Sequence, residues 1–305
     1  MAKYIAKRLG MAVVTIWLVA TLTFFLMNLV PGGPFLSEKA VSPKALEALE
    51  AKYGLDKPLH EQYLTYMKDA LHGDFGDSLK QRGRTVASII TSKFPVSAKI
   101  GGLAVLVAFF VGVPLGCVSA LHRGKVTDNI IIVIATCGIA VPSFVICTLL
   151  MYGFGVKLGW LPTLGLGTWK HYIMPITALA FYPTAYITRL MRSSMLDVLG
   201  QDYMRTSRAK GLSQFVCLFK HALRNAILPV VTYLGPLLAY TVSGSFIVEK
   251  IFSIPGLGRE FISSITNRDY TVIMGTTIFL ATLMVLMNVV VDIVYKLVDP
   301  RIKLK

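Results

Sequence analysis

Long blocks of apolar residues are the feature of this sequence that most limits its fold. The first block runs from Leu9 to Val30, and each block is free of charge or nearly so. A helix needs about 20 apolar residues to cross the hydrocarbon core of a bilayer. We therefore predict an all-α integral membrane protein with six transmembrane helices, the fourth of them short and broken by two prolines. The later blocks lie at 100–121, 130–153, 173–190, 227–248 and 272–298.

The distribution of charge predicts the orientation of these helices. Charged residues make up 15% of the chain, whereas soluble proteins carry about 25%. The net charge of +15 is explained by the positive-inside rule rather than by nucleic-acid binding. The N-terminal tail and the segments 122–128, 189–224 and 296–305 hold 16 of the 31 Lys and Arg, and together with Asp292, near the cytoplasmic end of the last span, they hold five of the 16 Asp and Glu. We therefore expect both termini in the cytoplasm.

The apolar blocks divide the chain into four parts. Residues 1–30 form an N-terminal cytoplasmic tail and first transmembrane helix, which is too long for a signal peptide and lacks a cleavage site. Residues 31–98 form a small helical extracytoplasmic segment that ends in an elbow helix. Two interpretations of this segment stay open, a cap packed on the membrane surface and a docking platform for a substrate-delivering protein. Residues 99–298 form a five-helix transmembrane core with a coupling loop at 193–228, and 299–305 are a cytoplasmic tail.

The longest polar interruption in the second half of the chain is 201–229. Asp202 can cap a short basic helix of about eight residues, roughly 12 Å long. Gly211 can end that helix, because glycine adopts the left-handed conformation freely. Ser213 can cap a second helix, whose apolar residues recur at spacings of three and four and predict one continuous stripe. A short capped helix between two membrane spans suggests docking into a partner. The stripe consists of Leu212, Phe215, Val216, Phe219, Leu223 and Ile227.

Motifs for catalysis and cofactor binding are missing from the sequence. It contains no Gly-x-x-x-x-Gly-Lys-Ser/Thr phosphate loop, no His-Glu-x-x-His and no Gly-x-Ser-x-Gly. We therefore predict no catalytic residues, no metal and no cofactor. Asp292 is the one carboxylate within a predicted span, and it shares a helical face with Asn288 and Lys296. A local polar pair and a proton relay are the interpretations left open. A transporter without its own energy source must take energy from another polypeptide, which again points to 201–229.

Short motifs along most of the chain resemble one branch of a known family. RTSRAKGL (Arg205–Leu212) and KHALRNAILPV (Lys220–Val230) are similar to the peptide and nickel branch of the type I ABC importer permeases. The long segment after the first span resembles the B-type oligopeptide permease rather than its C-type partner. The other motifs that resemble the B-type permease are VPGGPF (30–35), HGDFG (72–76), FPVSAKIG (94–101), VPSF (141–144), GSFIVEKIFSIPGLG (244–258), NRDY (267–270) and VDP (298–300).

The resemblance implies a permease subunit of an ATP-driven peptide importer in a bacterial cell membrane. It also implies four kinds of partner: a second, C-type permease subunit, two ABC ATPase subunits, an extracytoplasmic peptide-binding protein, and the peptide cargo. The chain itself would be no enzyme. In this family a short cytoplasmic helix lies in a cleft of an ATPase. The basic residues would meet acidic or polar groups there, and Tyr203 and Met204 would fill an apolar notch. The implied coupling residues are Asp202, Tyr203, Met204, Arg205, Arg208, Lys210, Gly211 and Leu212.

Spans four and five contain the most prolines, two each, and a helix broken by proline is tolerated where protein or a water-filled cavity surrounds the backbone. Tyr182, Tyr186, Tyr240 and Ser243 are therefore candidates for the translocation pathway, although packing explains each of them equally well. Phe246 and Ile247 are candidates for an apolar gate.

Two alternatives to oligopeptide import remain. The same transporter class can carry dipeptides, nickel chelates or glutathione. A membrane receptor that binds anionic membrane lipid through the basic loop is the alternative from another class.

Overall fold

The computed structural model describes residues 2–31, 33–35 and 43–298, and in these ranges the regular elements are helices. Two of them continue into short π-helical stretches, Ser143–Leu150 into Met151–Lys157 and Gln214–Val216 into Cys217–Ala222. The helices are α1 (Ala2–Leu29), α2 (Pro43–Tyr53), α3 (Leu59–Leu71), α4 (Val86–Leu121), α5 (Val126–Ala140), α6 (Ser143–Leu150), α7 (Lys170–Leu199), α8 (Asp202–Ala209), α9 (Gln214–Val216), α10 (Leu223–Ala226), α11 (Leu228–Val242), α12 (Phe246–Ile251), α13 (Leu257–Asn267) and α14 (Tyr270–Val298).

Four described helical stretches are long and apolar enough to cross a membrane, and the bent pair α5–α6 counts as a fifth if it is one span. The fourth predicted span, 173–190, lies inside α7, which is continuous through both of its prolines. The predicted number of six spans is therefore not confirmed. The four stretches are Gly10–Leu29, Val86–Leu121, Leu228–Ile251 and Tyr270–Val291.

The predicted elbow helix and second span form one helix. α4 runs for 36 residues, about 54 Å at 1.5 Å per residue, so it is longer than the membrane is thick. Thr85 caps its start by accepting a hydrogen bond from the Ser88 amide at 3.1 Å. Pro95 and Pro114 lie inside the helix and do not end it. The predicted boundary at 98/99 is thus a point inside α4.

The predicted third span, 130–153, is not a single straight helix. The chain bends by 106° between α5 and the helical stretch Ser143–Lys157 that begins with α6. Val141 precedes Pro142 and has an extended backbone (ψ 124°), as the residue before a proline prefers. The two helices consequently form the corner of a cavity described below.

The core of the bundle is the contact between α4 and α7. A Cβ atom on Gly116 would lie 2.7 Å from the Thr188 carbonyl oxygen, and one on Gly112 would lie 3.0 Å from that of Thr184. Small residues allow helix backbones to approach this closely, which is a common basis of helix packing in membranes.

The segment after α1 packs on the bundle. The hydroxyl groups of Tyr63 and Thr21 are 2.8 Å apart, which joins α3 to α1. Asp269, just before α14, accepts hydrogen bonds from the Ser78 hydroxyl and from the Leu79 amide. These contacts fix the segment to the bundle, as either a cap or a docking platform would be. The side chains of Asp292 and Lys296, for which a polar pair was predicted, lie outside the described residues.

Candidate coupling helix and translocation cavity

The short helix α8 follows α7 after only two residues, Gly200 and Gln201. Asp202 is its first residue, and its carboxylate lies 3.8 Å from Nη1 of Arg205. Both side chains of this pair are largely exposed, so the ion pair itself contributes little to stability. Asp202 therefore supports the helix as an acidic residue in its first turn rather than as the predicted cap. The predicted end is confirmed, because Gly211 has a φ of +75°.

Met204 and Tyr203 both link α8 to the rest of the chain. Met204 is fully buried in the core cluster that also contains Met195, Cys217 and Ala222. The Tyr203 hydroxyl accepts a hydrogen bond from Asn225 Nδ2 at 2.9 Å. The outer face of the helix presents Arg205, and Lys210 and Leu212 beyond its end are also exposed. The side chain of Arg208 lies outside the described residues.

The helix that follows differs from the predicted amphipathic stripe. Ser213 does cap it, since its Oγ accepts a hydrogen bond from the Val216 amide at 3.4 Å. The π-helical stretch Cys217–Ala222 then shifts the register, because a π turn contains more residues than an α turn. Phe215 and Phe219 are exposed, and their ring centroids lie 4.4 Å apart with the ring planes tilted by 30°. The buried positions are Cys217, Ala222 and Ala226.

A cavity of about 590 Å³ lies where the α5–α6 corner faces α7 and α11. The sequence-predicted Tyr182 and Tyr240 both line it. Its described wall consists of apolar and hydroxyl-bearing side chains. The lining residues include Pro142, Ser143, Tyr182, Tyr233, Pro236, Tyr240 and Ser245.

Three tyrosines form a continuous aromatic row beside this cavity. The rings of Tyr182 and Tyr186 are 6.4 Å apart, and those of Tyr186 and Tyr233 are 4.4 Å apart. Tyr233 was not predicted from the sequence. Its signal was present, because it lies seven residues before Tyr240 and two helical turns place both on one face of α11.

The remaining pathway candidates are placed differently. Ser243 is buried, and its hydroxyl donates to the Tyr240 carbonyl at 2.7 Å. The serine that lines the cavity is Ser245. Phe246 and Ile247 begin α12 and are partly exposed. Phe246 stacks on Phe261 with ring centroids 5.1 Å apart.

Comparison with known proteins places the chain in a family. Residues 112–304 match the model of the binding-protein-dependent transport system inner membrane component, and residues 1–101 match the N-terminal model of such membrane components. The chain is 46% identical to the dipeptide transport system permease protein DppB of Bacillus subtilis, over 100% of this chain and 99% of that protein. It is 42% identical to the oligopeptide transport system permease protein OppB of Haemophilus influenzae, over 99% and 100% of the two chains.

Solved structures support the same fold at low sequence identity. A chain of the MetNI methionine ABC transporter, in an inward-facing conformation, matches with a TM-score of 0.55 and 17% identity, over 69% of this chain and 96% of that one. An amino acid ABC transporter with histidines matches with a TM-score of 0.50 and 21% identity, over 71% and 95%. The family models and full-length relatives together show that this chain belongs to the inner-membrane permease components of binding-protein-dependent ABC transport systems, as the sequence motifs predict.

Proposed function

We propose that this chain forms half of the translocation pathway of an ATP-driven peptide importer. We further propose that α8 binds an ATPase subunit and transmits its ATP-driven movement to the membrane helices. The observation that carries the proposal is the construction of α8. The helix is short, is followed by the left-handed Gly211, exposes Arg205 on its outer side with the exposed Lys210 just beyond its end, and is held by the buried Met204. A short helix that is held by a buried side chain can move as one unit with the helices on which it packs. α8 follows α7 after two residues, and α7 forms one wall of the cavity.

The exposed side of α8 is the surface proposed to enter an ATPase cleft. Arg205 and Lys210 would meet acidic or polar groups there, and Tyr203, which is partly exposed, would supply apolar contact. Met204 points inward, so we assign it to anchoring α8 rather than to an apolar notch of the partner. The proposal requires α8 and both chain termini to lie in the cytoplasm, which agrees with the positive-inside distribution of charge.

The cavity is proposed to hold peptide during alternating access, together with the corresponding wall of a second permease subunit. Tyrosine hydroxyl groups and the backbone at the α5–α6 corner offer hydrogen bonds to amide groups, which every peptide has. A wall of this kind would accept many sequences. Phe246 and Ile247, next to the cavity-lining Ser245, are proposed as its gate. Peptide is favoured over nickel chelates or glutathione because the names of the relatives specify dipeptides and oligopeptides.

The coupling role can be tested by charge reversal on α8. The chain would be co-expressed with its partner permease and ATPases as Arg205→Glu, and as Lys250→Glu for comparison, since Lys250 is an exposed residue of α12. We expect Arg205→Glu to lose both co-purification with the ATPases and peptide-stimulated ATP hydrolysis, and Lys250→Glu to keep its ATPases. Normal association and stimulation in Arg205→Glu would refute the proposal. If that variant lost only binding to anionic vesicles, the receptor alternative would be favoured.

The cargo can be tested in a strain that lacks this chain, with and without its restoration. Uptake of labelled dipeptides, longer peptides, a nickel chelate and glutathione would be compared. We expect restoration to recover peptide uptake. Recovery of nickel chelate or glutathione uptake alone would contradict a peptide cargo.

A further inference from the structure

An ion pair between the buried Asp128 and the partly exposed Arg192 joins α5 to α7. Nε of Arg192 donates to Oδ1 of Asp128, and Nη2 donates to Oδ2, each at 2.7 Å. Asp128 is buried and lies in the first turn of α5. Arg192 is on α7, about two turns before that helix ends. The parallel, two-point geometry fixes both the separation and the relative rotation of the two side chains.

The carboxylate also holds the turn between α4 and α5. Oδ1 accepts a hydrogen bond from the Ser119 hydroxyl at 2.6 Å, and Oδ2 accepts one from the Gly124 amide at 2.9 Å. Asp128 thus ties the end of α4, the following turn and the start of α5 to one arginine. This network is rigid, since a buried carboxylate with all of these donors loses stability if any of them moves away.

The pair lies on a connected route from α8 to the cavity. Met204 and Met195 belong to one buried cluster, so a displacement of α8 would move the end of α7. α7 carries Arg192, and Arg192 is bonded to the start of α5. α5 runs 15 residues to the corner with α6, and residues on both sides of that corner line the cavity.

We infer that Asp128 and Arg192 form a positioning pair that makes α5 follow α7, so that movement of α8 reaches the α5–α6 corner. The inference rests on the proposed coupling role of α8. Without the pair, α7 would slide past α5 and the ATPases would hydrolyse ATP without opening or closing the cavity. The pair is therefore expected to set how much cargo moves per ATP rather than how fast ATP is hydrolysed.

The experiment uses the complete transporter in liposomes with its peptide-binding protein. Asp128→Asn keeps the shape of the side chain and removes its charge. Arg192→Lys keeps the charge and removes the two-point geometry. Asp197→Asn is the matched control, because Asp197 is an exposed acid on the same end of α7. Labelled peptide uptake, ATP hydrolysis with and without peptide, and the amount of assembled complex would be measured for each variant.

We expect about a tenfold loss of peptide transported per ATP in Asp128→Asn and in Arg192→Lys, within the usual range of coupling between sites. Basal ATP hydrolysis and assembly should be unchanged, and Asp197→Asn should behave as the natural chain. The double variant should be no worse than either single variant, since both remove one interaction.

Two results would overturn the inference. One is an unchanged ratio of peptide to ATP in both single variants. The other is a loss of uptake that matches a loss of assembled complex, which would make the pair only a structural contact. A failure of α8 itself is distinguishable, because Arg205→Glu reports on ATPase association independently of this ratio.

Discussion

The anchoring of α8 by Met204 gives the most direct prediction. An isolated helix of eight residues is not stable in water, because too few hydrogen bonds follow its costly first turn. Its order therefore depends on packing, and Met204 is its fully buried apolar side chain. We expect Met204→Ala to release α8 locally while the membrane bundle stays folded.

The expected free-energy cost of Met204→Ala follows from the burial of the Met204 side chain. Truncating a buried methionine to alanine costs about 2–5 kcal/mol, the lower end applying where the surroundings can close the gap. α8 lies at the edge of the bundle, so we take about 2 kcal/mol as the loss. At 1.4 kcal/mol for each tenfold change, the population of released α8 would rise about 30-fold. Met204→Leu conserves volume and should cost less than about 1.5 kcal/mol.

Amide hydrogen exchange of the purified chain measures this directly. Exchange within 202–209 should accelerate about 30-fold in Met204→Ala, and that of α14 should be unchanged. Peptide-stimulated ATP hydrolysis by the complete transporter should fall in the same variant and persist in Met204→Leu. Unaltered exchange in 202–209 would show that Met204 does not hold α8. Faster exchange combined with normal stimulation would show that an ordered α8 is not needed for coupling.

Two further predictions concern glycines. Gly116→Ala places a Cβ 2.6 Å from the Cβ of Met191, so α4 and α7 must separate at a cost of about 1–3 kcal/mol, and the midpoint of thermal unfolding in detergent should fall. Gly102 has open space around it, so Gly102→Ala should not be destabilised. Equal unfolding midpoints for the two variants would contradict the close packing of α4 on α7. Gly211→Ala forces a side chain into a left-handed conformation (φ +75°) at about 1–2 kcal/mol, and we expect weaker co-purification with the ATPases than for Gly200→Ala, whose φ is −79°.

The sequence by itself determined the class of protein and the place of α8, the helix for which we propose the coupling role. Apolar blocks of about the length that crosses a bilayer indicate an α-helical membrane protein, since every backbone polar group must be satisfied within the chain. Gly211 and Ser213 mark helix ends by their local chemistry, which does not depend on distant residues. The motifs around them identified the family that the full-length relatives then showed.

The tertiary structure decided which side chains those elements use. Met204 and Tyr203 are neighbours of similar apolar character, and only packing against Met195 and Cys217 shows which of them faces inward. Asp128 contributes to the sequence only as a charge in a basic loop, because its partner Arg192 is 64 residues away. Local sequence patterns determine the helices and their ends. Burial and ion pairing depend instead on which helices pack together. In this protein the α4–α7 contact and the α5–α6 corner determine that packing.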